Sequence, residues 1–207
     1  MTIEERLIAD AALLGVRLSA TAAATLLRYL DLLVKWNRRF SLTAVTGREE
    51  MRVRHLLDSL SVVPFVAGTR ILDVGTGPGL PGIPLAVARP RSQVSLLESR
   101  ERKVQFLIHA VGALHLSNAQ VRHARLENLE PDEPFDTLVA RAFAPLPRFL
   151  QRCSHLCRPG TRLVAMTGKN PALTGRLAFA QIADVEVRRV QVPGLSAERH
   201  LVIMTWA

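Results

Sequence analysis

The stretch RILDVGTGPGLPG, Arg70 to Gly82, decides how this chain is read. Ile71 and Leu72 lead into an acid, Asp73, and one more apolar residue, Val74. Glycines follow at 75, 77, 79 and 82. A short apolar run that ends in a glycine-rich turn and a helix start is the pattern of a nucleotide-type site at the carboxyl end of a parallel strand. Glycine has no Cβ, so such a loop takes positive φ and a ligand lies against bare backbone. The first N–H groups of the following helix then face that ligand.

Two ligands compete for this loop. Read as G-x-G-x-x-G, Gly77, Gly79 and Gly82 fit a dinucleotide fingerprint. Read as D-x-G-x-G-x-G, Asp73, Gly75, Gly77 and Gly79 fit the first motif of S-adenosylmethionine (AdoMet) methyltransferases. The second reading puts a carboxylate at the strand tip, where it can meet the ammonium of a methionine moiety. A pyrophosphate would be repelled there. A purely structural turn is the bland alternative, because motif matches are hypotheses.

At 207 residues the chain makes one domain, or one domain with an extension. Nearly half its residues are hydrophobic, enough for a sizeable core. The acidic start, Met1-Thr2-Ile3-Glu4-Glu5, lacks a signal-peptide pattern, and no apolar run approaches a bilayer span. Cys153 and Cys157 share a helix face but have no second pair, so a zinc site is not expected. They read as small buried residues in a reducing cytoplasm. The net charge of +9 invites a nucleic-acid partner. A compositional bias competes with that reading, since all but three of the 27 basic residues are arginine. Lys35, Arg38, Arg39, Arg48, Arg52 and Arg54 suggest a basic surface beside the first helices.

Apolar spacing predicts helices over residues 3–14, from Ser19 or Thr21 to about 39, and over about 49–63, ended by Pro64. They form an amino-terminal helical cap, residues 1–65. A core over residues 66–207 then alternates strands and helices. Strands are expected at 70–74, 93–98, 119–122, 135–140 and 162–167, with a final pair at about 184–192 and 200–205. Helices are expected at 81–88, 100–111 with a stop at Gly112, 145–156 and 171–180. Such alternation means a mostly parallel sheet covered on both faces. Pro193-Gly194 joins the last two strands too closely for a crossover, so they make an antiparallel hairpin. Seven strands, doubly wound, with a terminal hairpin is the Rossmann-like arrangement of class I AdoMet-dependent methyltransferases. A nicotinamide domain would continue with another crossover.

Glu98 ends the second strand, where a carboxylate can accept both ribose hydroxyls of a nucleoside. A solvated glutamate opening the next helix is the plain alternative. Arg125-Leu126-Glu127 follows the third strand, near where this fold holds adenine. Arg141 follows the fourth, where donor and acceptor of the methyl group meet. The stretch from Ala140 to Pro145 carries no Asn-Pro-Pro-aromatic tetrapeptide, as exocyclic amine methylation commonly uses. Neither cysteine has the context of a nucleophilic thiolate. What remains is an acceptor that is already nucleophilic, and guanine N7 is such an atom. Its transfer needs alignment more than a general base. Arg141 and Arg125, always charged, then serve as binders. Trp36 reads as core, or as a platform for a splayed base. His55 reads as a packing residue, and Arg199-His200 as either groove-facing or solvated.

With these residues in view, the chain resembles the ribosomal small-subunit methyltransferase G family, also called glucose-inhibited division protein B. The likeness runs through KWNRRFSLTAV (35–45), HLLDSL (55–60), ILDVGTGPGLPGIPLA (71–86), LLESRERKVQFL (96–107), ARLE (124–127), RAFAPL (141–146) and PGLSAERHLV (193–202). The long glycine motif with Leu80-Pro81-Gly82-Ile83-Pro84 is far more specific than D-x-G-x-G alone. The resemblance implies methyl transfer from AdoMet to N7 of one guanine in the decoding-region loop of 16S rRNA; a monomer without a metal is expected. It also implies cofactor contacts at Gly75, Leu80, Leu126, Glu127 and Arg141. The chain departs from the family in two places. Thr167 stands before Gly168 where lysine is common, with Lys169 after it, and Glu98 stands where aspartate is common.

Overall fold

The computed structural model describes residues 1–142, 144–168 and 181–207. The helix expected over 171–180, Lys169 and Phe143 lie outside the described residues. The chain opens with α1 (Ile3–Leu13), whose Thr2 and Glu5 form a reciprocal capping box. Ser19 caps α2 (Ala20–Phe40), which runs past Asn37 and ends at Ser41 in a left-handed conformation. Asn37 still shapes that end, because its side chain bonds both the N–H and the carbonyl of Thr43. The third helical stretch is broken into α3 (Arg48–Met51), a π-helical segment (Arg52–Leu57) and α4 (Asp58–Leu60). Pro64 lies in the short 3-10 turn beyond it.

The strands are β1 (Arg70–Val74), β2 (Gln93–Glu98), β3 (Ala119–His123), β4 (Thr137–Arg141), β5 (Arg162–Thr167), β6 (Ile182–Arg189) and β7 (His200–Trp206). Between them lie α5 (Gly82–Ala88), α6 (Glu101–Ala113) and α7 (Leu146–Cys153). The sheet has the order β3-β2-β1-β4-β5-β7-β6. β1 to β5 pair in parallel, and β7 enters antiparallel between β5 and β6. Among the described residues no further parallel strand follows β5, since β7 and β6 pair antiparallel. The chain reverses strand order on either side of β1, which opens a crevice at the carboxyl ends of β1 and β4.

α6 runs through Gly112 to Ala113 instead of stopping at the glycine. An added Cβ there would meet open space, so Gly112 costs propensity without a steric break. β1 explains how the layers form. Its Ile71 joins one apolar cluster, and Leu72 and Val74 join the other. The first cluster is large. It takes Leu7 from α1 and Leu26, Leu30 and Leu33 from α2, together with Leu85 from α5 and Phe106 from α6. The second holds Phe149 and Leu150 of α7 on the opposite face. The first two helices therefore share a core with the sheet.

Candidate active site

The glycine loop leaves β1 with positive φ at Gly75, Gly77 and Gly79. It is pinned by Thr76 N–H donating to Leu97 O at 3.0 Å and Leu80 N–H donating to Thr76 O at 2.9 Å. Asp73 lies fully buried beneath it. Its Oδ2 accepts from Thr76 Oγ1 at 2.5 Å and from Gly82 N–H at 2.7 Å. The strand-tip acid therefore braces the loop rather than standing open at its mouth. Its Oδ1 is buried without a protein partner. Burial pushes this carboxyl up to about 7, against the opposing pull of the Thr76 and Gly82 bonds. Gly82 is required for a packing reason. A Cβ there would strike Leu96 Cδ2 and stand 2.7 Å from Asp73 Oδ2. Leu80 is buried in the main cluster, so only its backbone faces the loop side. From the first helices, Tyr29 donates its hydroxyl to Pro78 O at 2.8 Å, and burial raises its pKa.

A cleft opens beside the loop, lined by Gly75, Glu98, Lys103, Arg125, Leu126 and Ala142 among others. Glu98 is mostly buried, and its Oε1 accepts from Ser99 N–H and Arg100 N–H, both at 2.9 Å. Its Oε2 lies 3.8 Å from Lys103 Nζ. Lys103 also approaches Gly77, its Nζ standing 3.7 Å from where a Cβ would be. Sequence reasoning passed over this lysine. Its signal was the spacing to Glu98, one helical turn into the next helix. Glu127 turns outward and accepts from Arg152 Nε at 2.7 Å. Its own backbone N–H and Arg152 hold its carboxyl below the usual range. Gly75, Glu98 and Leu126 thus meet in one cleft, with Gly77 behind Lys103. Asp73 lies below, Glu127 lies at the outer edge, and Arg141 points elsewhere.

Arg141 reaches across to the first helices. Its Nη1 donates to Arg54 O at 3.1 Å and to Asp58 Oδ2 at 3.3 Å. Arg199 donates to the same carboxylate, Nε to Oδ1 at 2.5 Å and Nη2 to Oδ2 at 3.1 Å. Asp58 itself is 1% exposed. Arg141 is the last residue of β4. The next residue, Ala142, has φ of 51°, an uncommon conformation for a residue with a Cβ. Asp58 escaped the sequence reading. Its signal was a carboxylate inside the apolar run Leu56-Leu57-Asp58-Ser59-Leu60, because a buried charge needs a partner.

His55 is buried, with Nε2 2.9 Å from Thr43 Oγ1. Burial, reinforced by the Arg141 charge, pushes its pKa down to about 4. His200 is also buried, not solvated. The basic surface is smaller than expected. Arg52 is buried between Asp10 and Glu49, Arg54 pairs with Glu50, and Arg48 pairs with Asp31. Helical spacing supplied those acids three and four residues before Arg52 and Arg54. Lys35, Arg38 and Arg39 remain outward-facing. Trp36 is half-buried, stacked on Phe40 at 5.3 Å and edge-on to Phe106. Burial raises both cysteine thiols, Cys157 to about 12. Among the described residues no His, Cys, Asp and Glu cluster could hold a metal, and no helix is long and apolar enough to cross a membrane.

A family model described as rRNA small subunit methyltransferase G matches residues 22–202. The ribosomal RNA small subunit methyltransferase G of Xanthomonas euvesicatoria pv. vesicatoria is 48% identical over 187 residues, covering 90% of this chain and 88% of that protein. The protein of the same name from Nitrosococcus oceani is 45% identical over 190 residues, covering 92% and 89%. Among solved structures, a predicted O-methyltransferase from Agrobacterium tumefaciens aligns with a TM-score of 0.57 at 20% identity, over 73% of this chain and 79% of that one. A SAM-dependent methyltransferase from Aquifex aeolicus aligns with a TM-score of 0.56 at 20% identity, over 75% and 93%. These two establish the class I methyltransferase fold. The family match spans the glycine loop, the Glu98 cleft and the Asp58 cluster together, and this chain belongs to the rRNA small subunit methyltransferase G family.

Proposed function

We propose that this chain transfers the methyl group of AdoMet to N7 of one guanine in 16S rRNA of the small ribosomal subunit. The observation that carries this reading is the cleft over Gly75, Glu98 and Lys103 in a chain of the methyltransferase G family. The residues present suit AdoMet. Glu98 keeps Oε2 for ribose hydroxyls, because Oε1 is filled by two backbone N–H groups. Asp73 Oδ1 is a buried acceptor in want of a donor. Gly75 and Gly77 leave the loop bare of side chains. Leu126 offers an apolar wall and Glu127 a backbone edge for adenine. When bound, AdoMet supplies an electrophilic methyl group on a sulfonium.

The remaining chemistry falls to residues that bind and orient. Arg141 keeps its charge at the end of β4, one residue before Ala142 of the cleft, and is assigned to the methionine carboxylate. It is the group proposed to act at the reacting end, by alignment rather than proton transfer. His55 has its pKa pushed down to about 4 and its Nε2 engaged by Thr43, so it is a weak base and a poor proton acceptor. The raised cysteine thiols yield no thiolate. An acceptor that must first lose a proton is poorly served by this set. The in-plane lone pair of guanine N7 needs no such loss, and aligning two reactants can supply up to about 7–11 kcal/mol of the barrier. Residues 1–65 are proposed as the RNA-facing cap on the core of 66–207, in a cytoplasmic monomer. Labelled AdoMet with small subunits from a strain lacking the enzyme should place label on one guanine N7. Label on an exocyclic amine, or no label, overturns the reading.

A further inference from the structure

We propose that Asp58 is a positioning residue that holds Arg199, beside Arg141, as a receptor for one phosphate of the rRNA strand next to the methylated base. The proposal rests on the function read above and adds a residue and a subsite to it. Asp58 is almost wholly buried, yet it serves two guanidinium groups at once. One carboxylate against two cations leaves a local charge of one positive unit. Glu198, the neighbour of Arg199, lies 3.9 Å from Arg189. The excess charge belongs to side chains that are only 21% and 18% exposed, so water screens it less than it would an open surface arginine.

The place of this charge gives it a use. Arg141 ends β4, and the residue after it lines the cofactor cleft. Arg199 precedes β7, whose first residue pairs with Thr167 at the end of β5. The two cations thus stand at adjoining strand ends, just beyond the cleft, where an acceptor must approach. Arg199 Nη1 points towards Gly168, 3.8 Å from where a Cβ on that glycine would stand. Gly168 has no side chain to cover the guanidinium. A planar fork held on one edge by a carboxylate presents its other edge to a second oxyanion. The same fork could read guanine O6 and N7. N7 must stay open for methylation, so the phosphate is the ligand this geometry favours.

Charge and position make opposite predictions for Asp58→Asn. The substitution keeps the shape and raises the local charge from one positive unit to two. If Asp58 only moderates charge, the variant binds RNA more tightly. If Asp58 positions the arginines, the KM for small subunits rises about tenfold, as loss of a charged hydrogen-bond anchor would give. Melting should stay cooperative at a lowered temperature, and AdoMet affinity should change less than the KM for subunits. Arg199→Gln should reduce the slope of log affinity for subunits against log salt by about 0.7, the release expected from one single-stranded phosphate contact. Arg199→Lys, which keeps charge but loses the fork, should fall between wild type and Arg199→Gln in KM. Unchanged or tighter binding by Asp58→Asn, or an unchanged salt slope in Arg199→Gln, overturns the proposal. Should Asp58→Asn fail to fold, the two Arg199 variants decide the matter. If wild type binds subunits but leaves N7 unlabelled, the function above fails, while the salt slope still tests the phosphate site.

Discussion

The two halves of the site are built in different ways. The cofactor half is a backbone structure. Its glycine loop is one continuous stretch, held by amide bonds and by Asp73 from below, while Glu98, Lys103 and Leu126 line the cleft beside it. The acceptor half is a side-chain structure. Asp58, Arg141 and Arg199 come from three distant stretches and meet only on folding. A backbone cradle tolerates little change at its own positions and leans on distant residues at single points, as at Tyr29. A side-chain cluster can vary at each member, yet fails when any one partner is lost.

Three substitutions sharpen that contrast. Gly82→Val should have the largest effect, because its Cβ and γ-methyls would fill space held by Leu96 and Asp73. Overpacking of this kind costs about 1–3 kcal/mol or more, and here it also displaces the brace of the loop. Calorimetry should find AdoMet binding lost and the melting temperature lowered. A variant that binds AdoMet normally would show that the cradle adapts after all. Glu98→Gln should come next, with AdoMet affinity weaker by about tenfold and stability little changed. If affinity holds, ribose recognition lies elsewhere in the cleft.

The smallest effect concerns the acceptor half and appears only with pH. His55 titrates at about 4 in the fold against an ordinary 6.5. Below about pH 6.5 the unfolded chain takes up a proton that the folded chain refuses until about pH 4. The stability that neutral His55 confers is therefore complete above 6.5 and is lost as pH falls towards 4. Thermal melts across that window should show wild type losing stability on acidification. His55→Gln should flatten that segment of the curve. An equally steep fall in the variant would assign the acid sensitivity to another group.

The contrast also explains what could be read from residues alone. The strands were legible because alternation and turn residues punctuate them, and Gln93–Glu98 and Arg162–Thr167 lie where the pattern places them. The glycine loop was legible because Gly82 and its neighbours have local reasons to be glycine. The acceptor half was not, since nothing near Asp58 names Arg199 as its partner. The π-helical segment just before Asp58 left no mark in RVRHLL either. The basic patch was over-read for a related reason. Counting arginines ignores Asp10, which lies 42 residues from Arg52 in sequence yet bonds to it. Asp73 was found, but its placement was not, because a motif records identity and not whether a side chain looks up at a ligand or down into a floor.

Tyr29 sits in the second helix and donates to Pro78 in the glycine loop, while the same helix lends Leu26, Leu30 and Leu33 to the sheet's core. A lid that swings freely needs a seam that parts without exposing oil to water. Here the seam runs through the main apolar mass, so the amino-terminal helices cannot hinge away without costing the loop its anchor. Substrate must come to a mouth that is already set.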